Sequence, residues 1–203
     1  MRVVIPFKLK NPKSRLSSIL SLDERINLAK LMLLDVIDVV SKFTDDIVVL
    51  VPPNTELDLS VKIEEDSRDL DSAINARIER GIAIVMSDLP LLNENVLRRF
   101  FNSEGDVVIA PGRKGGTNML LIRDERFRVS YHYGSFFKHI AIAKRLGLRV
   151  EIFDSFYASV DIDDESDLLE LLMHGEGKRS YEYLKSIGFG VDLSKKDPEL
   201  IRR

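Results

Sequence analysis

The sequence predicts an α/β fold, a mostly parallel sheet flanked by helices on both faces. Three observations carry that expectation. Short β-branched runs alternate with segments of helical periodicity along nearly the whole chain. The runs are apolar throughout, as strands buried on both faces are, and do not alternate with polar residues. At 203 residues, 44% apolar and 31% charged, the chain suits one large domain, or one domain with a small appendage.

Taken in order, "RVVIPF" (Arg2–Phe7) reads as a first buried strand ended by proline, followed by the basic loop "KLKNPKSRLSS". A helix is expected over Leu22–Phe43, with Ser21 as N-cap and Glu24 placed to complete a capping box. "IVVLV" (Ile47–Val51) is a second strand, stopped by two prolines. A helix over Asp69–Gly81 leads to a third strand, Ile82–Asp88. A helix near Glu94–Asn102, strands at Asp106–Ala110 and Met119–Ile122, and a helix over Ser135–Gly147 with a serine cap and glycine stop continue the pattern. "RVEIFDSFYASVDI" holds one or two strands, and "DESDLLELLMHG" a short helix. Residues 1–175 therefore form the main domain. Residues 176–203, with an aromatic helix-like piece, are expected to be a helical cap on it or an arm onto a second subunit.

Composition narrows the function. With no cysteine, disulfides, thiolate nucleophiles and cysteine-based zinc sites are excluded. A net charge of −3 argues against broad binding to nucleic acid, so any polyanion site must be a local cluster of cations. No apolar run reaches the roughly 18–20 residues that span a bilayer, so no membrane partner is expected, and because the N-terminus begins directly with a strand-like run no signal peptide is expected either. A reducing cytoplasm is the default compartment. Abundant charge without a single Gln is suggestive of a thermophile.

In such a sheet ligands sit at the carboxyl ends of the strands. After the first strand, Lys8, Lys10, Lys13 and Arg15 put four cations into eight residues. A solvated basic loop would look the same, but the strand-end position favours phosphate. No GxxxxGK[ST] or GxGxxG pattern is present. After the third strand, Ser87 and Asp88 lie in "MSDLP", and Asp88 is a hard oxygen ligand suited to Mg²⁺ or, alternatively, a helix-start carboxylate. Asp161 and Asp163 in "SVDIDDES" alternate, so on a strand both would point to one side and hold the same metal. Asp163 or Asp164 also suits the start of the next helix.

Between two apolar runs lies "APGRKGGTN", far longer than a hairpin needs. Gly112, Gly115 and Gly116 allow a ligand close to the backbone, and Arg113 and Lys114 can meet phosphate. Thr117 and Asn118 offer compact hydrogen-bonding groups, and Gly134-Ser135 opens a helix, a seat for phosphate or carboxylate. Two anion seats imply a substrate with two acidic groups. The histidines form no metal pattern: His139 and His174 read as structural, while His132 lies beside the acid-binding turn. Tyr131, Tyr133, Phe136 and Phe137 are expected to pack around that turn. No GxSxG elbow supports Ser-His-Asp chemistry.

"VVIPFKLKNPKSRLSSILSLDER", "IVMSDLPLL", "APGRKGGTNMLLI", "YHYGSFFKHIAIAKRLG" and "VDIDDESDLLELL" together resemble the 2-phospho-L-lactate guanylyltransferase family of coenzyme F420 biosynthesis, over essentially the whole chain. The resemblance implies a glycosyltransferase-A-like, Rossmann-like nucleotidyltransferase fold in residues 1–175. It also implies transfer of GMP from GTP to 2-phospho-L-lactate or a related phosphorylated three-carbon acid such as phosphoenolpyruvate. Carried over, Asp88, Asp161 and Asp163 match acidic positions around Mg²⁺. Thr117 and Ser135, with Asn118 and Gly134 beside them, match the phospho-acid seat, and Lys8, Lys13 and Arg15, with Ser87 and Asp88, the nucleotide side. Asp88, Lys13 and Arg15 are the expected catalytic residues, and a homodimer is the expected state. The chain departs from the family in reading His132-Tyr133-Gly134-Ser135 where Gly-Pro-Gly-Ser is usual, and Arg113-Lys114-Gly115 where the loop is more acidic. A molybdopterin guanylyltransferase would show a glycine-rich first loop, which is absent. Two further readings share the fold: a sugar-phosphate nucleotidyltransferase, and a non-catalytic nucleotide-binding protein, against which Asp88 and the later aspartate pair argue.

Overall fold

The computed structural model describes all 203 residues. Seven strands form one sheet in the order β3-β2-β1-β4-β6-β5-β7. They are β1 (Val3–Pro6), β2 (Ile47–Val51), β3 (Lys62–Glu65), β4 (Ile82–Val85), β5 (Val107–Pro111), β6 (Thr117–Ile122) and β7 (Val150–Ile152). All neighbours run parallel except β6, which pairs antiparallel with both β4 and β5. The helices are α1 (Leu22–Val40), α2 (Leu70–Asn75), α3 (Glu94–Phe101), α4 (Ser135–Arg145), α5 (Phe156–Ser159), α6 (Glu165–His174) and α7 (Arg179–Ser186). No helix is long and apolar enough to cross a membrane.

Strand residues project to alternate faces, and the core divides accordingly. Val3 and Ile5 of β1 join the cluster under α1 and α3, while Val4 between them faces the cluster under α2 and α4. A third cluster, with Leu16, Leu28 and Met32, lies between α1 and the C-terminal elements. At the start of α1 the Ser21–Glu24 capping box forms as expected.

Several elements differ from expectation. The α2 helix ends at Asn75, where Arg77 turns back to donate to the carbonyl of Ala73. An edge strand, β3, was not anticipated, because KIEE has no buried residue to set a strand pattern. Phe156–Ser159 is a helical turn, and Val160–Asp163 is irregular where a strand was expected. The last segment is half strand: α7 is followed by the hairpin β8 (Phe189–Asp192) and β9 (Glu199–Arg202). It lies against its own chain. The α7 helix packs on α1, and buried Asp35 of α1 accepts from the backbone N–H groups of Arg179 and Ser180, at 2.8 and 3.0 Å, capping the α7 N-terminus.

Candidate active site

Three strand ends and one loop meet at a single edge of the sheet. The carboxyl ends of β1 and β4 lead into the basic loop and into Ser87-Asp88. Because β6 is antiparallel, its first residues lie at that same edge, with Met119 opposite Val85 of β4. The long β5–β6 loop therefore overhangs the site.

Asp88, Asp161 and Asp163 each offer a carboxylate oxygen within 4.8 Å of the others. Asp161 and Asp163 do share a side, though not by strand pairing. The intervening Ile162 donates its N–H to the carbonyl of Asp88 at 3.1 Å, which draws both carboxylates to the end of β4. A set of three hard oxygen donors fits Mg²⁺. Burial and the charge of Asp88 raise the Asp161 carboxyl to about 6. Three converging carboxylates are poorly tolerated without a cation.

One is built in. The Lys13 ammonium bridges Asp88 at 2.6 Å and Asp163 at 3.0 Å and is only 10% exposed. Burial opposes its charge, but the two carboxylates outweigh burial and raise it above the ordinary lysine range. Its backbone is left-handed, with φ of 50°, uncommon for a residue with a side chain. Arg15 reaches Asp163 at 3.3 Å from a more exposed position. Lys8, Lys10, Lys13, Ser87 and Asp88 line a cavity of about 360 Å³. Lys8 also borders a second of about 350 Å³, walled by Val51, Asp66, Asp69 and Met86 between the ends of β1 and β2. Asp66 and Asp69 were not among the residues singled out from the sequence.

The half expected to receive the acid is a third cavity, about 520 Å³, bordered by Arg15, Gly116, Gly134, Ser135, Asp161 and Asp163. Ser135 and Thr117 do meet, with their hydroxyl oxygens 3.2 Å apart and both residues buried. Ser135 is not the helix cap, however. Gly134 takes that place with φ of 67°, a left-handed turn that suits glycine, and leaves Ser135 as the first helical residue. Asn118 is turned away from the cavity. Its amide donates to the carbonyl of Ala158 at 3.0 Å and to Asp161 at 3.3 Å, so it orients a carboxylate of the cluster.

Arg113 and Lys114 also border this cavity, and each is held by a carboxylate. Arg113 pairs with buried Asp167 at 2.7 Å and Lys114 with Asp164 at 2.8 Å, pinning the loop to the start of α6. Asp167 also accepts the N–H groups of Asp163 and Asp164, both at 2.9 Å. It thus fixes the turn that carries Asp163 and the glycine loop together, a role sequence reasoning missed. The D-x-x-D spacing before an apolar helix was its only signal. His132 is exposed beside Asp71, and His174 pairs with Glu170 at the end of α6. Of the aromatic cluster, Tyr131 and Phe136 pack inward, whereas Tyr133 and Phe137 are exposed.

A family model described as guanylyl transferase CofC like matches residues 1–202. A 2-phospho-L-lactate guanylyltransferase of Archaeoglobus fulgidus is 60% identical, with 100% of this chain and 98% of the relative covered. One from Ferroglobus placidus is 58% identical, with both chains covered in full. Among solved structures, a protein described as a nucleotide-diphospho-sugar transferase from Desulfovibrio desulfuricans superposes with a TM-score of 0.73 at 16% identity, covering 92% of this chain and 95% of its own. A Methanothermobacter nucleotidyl transferase gives 0.57 at 14% identity, covering 91% and 99%. These two share the fold of the sheet and its helices. On the full-length sequence match, the chain belongs to the guanylyl transferase CofC-like family.

Proposed function

We infer that this chain transfers GMP from GTP to 2-phospho-L-lactate, or a related phosphorylated three-carbon acid such as phosphoenolpyruvate, releasing pyrophosphate, as a step of coenzyme F420 biosynthesis in the cytoplasm. One observation carries the reading beyond family membership. The carboxylate cluster lies between two cavities: Asp88 and Lys13 border one, and Asp161 and Asp163 the other, which reaches Ser135 with Thr117 behind it. A donor triphosphate on one side and a phospho-acid on the other meet at those carboxylates.

In this arrangement the triphosphate lies along Lys8, Lys13 and Arg15, and the base takes the cavity between the ends of β1 and β2. The acceptor carboxylate takes the Thr117–Ser135 seat, which directs its phosphate toward Asp161 and Asp163. An acceptor phosphate oxygen attacks the α-phosphorus in line. The bond from that phosphorus to the bridging oxygen breaks, and its electron pair leaves with pyrophosphate. The acceptor is already anionic, so no strong base is required, in keeping with a site that has no poised histidine or cysteine. Asp88, Asp161 and Asp163 would hold Mg²⁺, which supplies charge neutralisation at the phosphate oxygens. Lys13 and Arg15 offset the charge that builds on pyrophosphate.

The direct test incubates the protein with Mg²⁺, each nucleoside triphosphate in turn, and 2-phospho-L-lactate, phosphoenolpyruvate or 3-phosphoglycerate, and measures pyrophosphate. Release with GTP and one of the first two acids is expected. Release only with another pairing would move the chain to a different nucleotidyl transfer, and no release with any pairing would favour a binding protein on the same fold.

A further inference from the structure

Behind the Thr117–Ser135 pair lies a group the reaction above does not use. His139 is fully buried in α4, one turn beyond Ser135 and on the same face. Its Nδ1 is 3.0 Å from the Thr117 hydroxyl oxygen, and its Nε2 accepts the backbone N–H of Ser130 at 2.9 Å. The edge of Tyr131 and the ring of Phe127 pack against the imidazole, with centroids 5.1 and 5.9 Å away. One ring thus ties together the first residue of β6, the helix α4 and the segment that leads into the Gly134 turn.

The hydrogen count has a direction. A backbone N–H cannot accept, so Nε2 must present a lone pair to Ser130, and a neutral imidazole then carries its proton on Nδ1. Burial, and next the charge of Lys138, lowers the ring to about 4, which keeps it neutral at ordinary pH. Nδ1–H therefore donates to Thr117. That leaves two hydroxyl protons on the Thr117–Ser135 pair, and only one lies between the two oxygens. Hydroxyls rotate, and when Thr117, receiving from His139, donates in turn to Ser135, the remaining proton is that of Ser135, free for the cavity that Ser135 borders.

We propose that His139 is a positioning residue for the acid-binding seat, its Nδ1–H tautomer turning the Thr117–Ser135 hydroxyl pair into a fixed donor toward an anionic group of the acceptor. This rests on the assignment of that seat to the phospho-acid. With His139 as sole proton donor at the closed end, the chain of hydrogen bonds runs one way, from imidazole to hydroxyls to ligand. An oxyanion is the ligand such an end receives. Without the imidazole the hydroxyl protons are free to turn inward, and the seat presents oxygen lone pairs to an anion.

Two substitutions separate this role from simple core filling. His139→Asn keeps an amide N–H near the Nδ1 position and loses the acceptor for Ser130. His139→Gln places its carbonyl near Nε2 and loses the donor to Thr117. Steady-state kinetics with 2-phospho-L-lactate and phosphoenolpyruvate, with GTP varied separately, should show a KM for the acid raised about tenfold in His139→Gln and changed less than about threefold in His139→Asn. The GTP KM should stay unchanged in both. Melting temperatures of both variants serve as the control, since a purely structural histidine would make the kinetic losses follow the loss of stability. Imidazole ¹⁵N spectra of the parent protein should show the proton on Nδ1. Equal kinetic losses in both variants, or a proton on Nε2, would overturn the proposal. Loss in neither histidine variant, with Thr117→Ala and Ser135→Ala also silent, would instead remove the seat assignment itself.

Discussion

The two halves of the site hold their polar groups by opposite means. On the carboxylate side, Asp88, Asp161 and Asp163 converge at charge-repelling distance, and a lysine ammonium stands between two of them. On the other side, behind a cavity bordered by Arg15, Arg113 and Lys114, Thr117, Ser135 and His139 form a buried hydrogen-bonded chain of neutral groups. The first half is exchangeable, because one cation can replace another between carboxylates. The second is preset, since every group in it is oriented by its neighbour before any ligand arrives. A transfer enzyme needs both: a place where charge is swapped as bonds change, and a place that holds the acceptor still.

The sharpest way to break this comparison is to neutralise the exchangeable half. Asp88→Asn and Asp161→Asn should each lower turnover by roughly 100-fold or more at saturating substrates, followed by pyrophosphate release. Near-normal release by both would remove these carboxylates from catalysis.

Stability should move the other way for one of them. The Asp161 carboxyl is raised to about 6 from an ordinary 3.8, so between those values the folded chain binds the additional proton. The ionised group therefore destabilises the metal-free fold fully above about pH 6, and less as pH falls toward 4. Metal-free Asp161→Asn should be more stable than the parent by about 1–3 kcal/mol at pH 8 and nearly equal to it at pH 4, by denaturant melts. A loss of stability at pH 8 would show that the Asn118 hydrogen bond already compensates the charge.

The preset half should respond more mildly. Thr117→Ala and Ser135→Ala should raise the KM for the phospho-acid about tenfold and leave turnover at saturation and GTP affinity close to the parent's. A change confined to GTP would mean that the two half-sites are reversed.

Features set by neighbours a few residues apart were legible before the structure. The strands Ile47–Val51 and Val3–Pro6 announce themselves by unbroken apolar runs, and the Ser21–Glu24 box by its spacing. Asp88 could be singled out because it ends such a run. Asp161 and Asp163 were paired correctly for an incorrect reason: alternation along a strand was assumed, whereas the tie is one backbone bond from Ile162 to Asp88. The cations Arg113 and Lys114 could not be read, because their partners Asp167 and Asp164 lie 54 and 50 residues away. The hydrogen bonds of Asn118 were hidden for the same reason, its partners Ala158 and Asp161 being 40 and 43 residues distant.

The sequence by itself determined the α/β class, the capping box of α1 and the strand-end placement of the acidic and hydroxyl groups. Those follow from periodicity and local hydrogen bonding, which act over a few residues. Only the tertiary structure decided which charges face a ligand and which face one another. Lys13 is drawn to Asp88 and Asp163 and Arg113 to buried Asp167, although the two have the same formal charge. The difference comes from the fold, because a charge is neutralised by whichever opposite group the chain brings within a few ångströms, and sequence distance has no part in that.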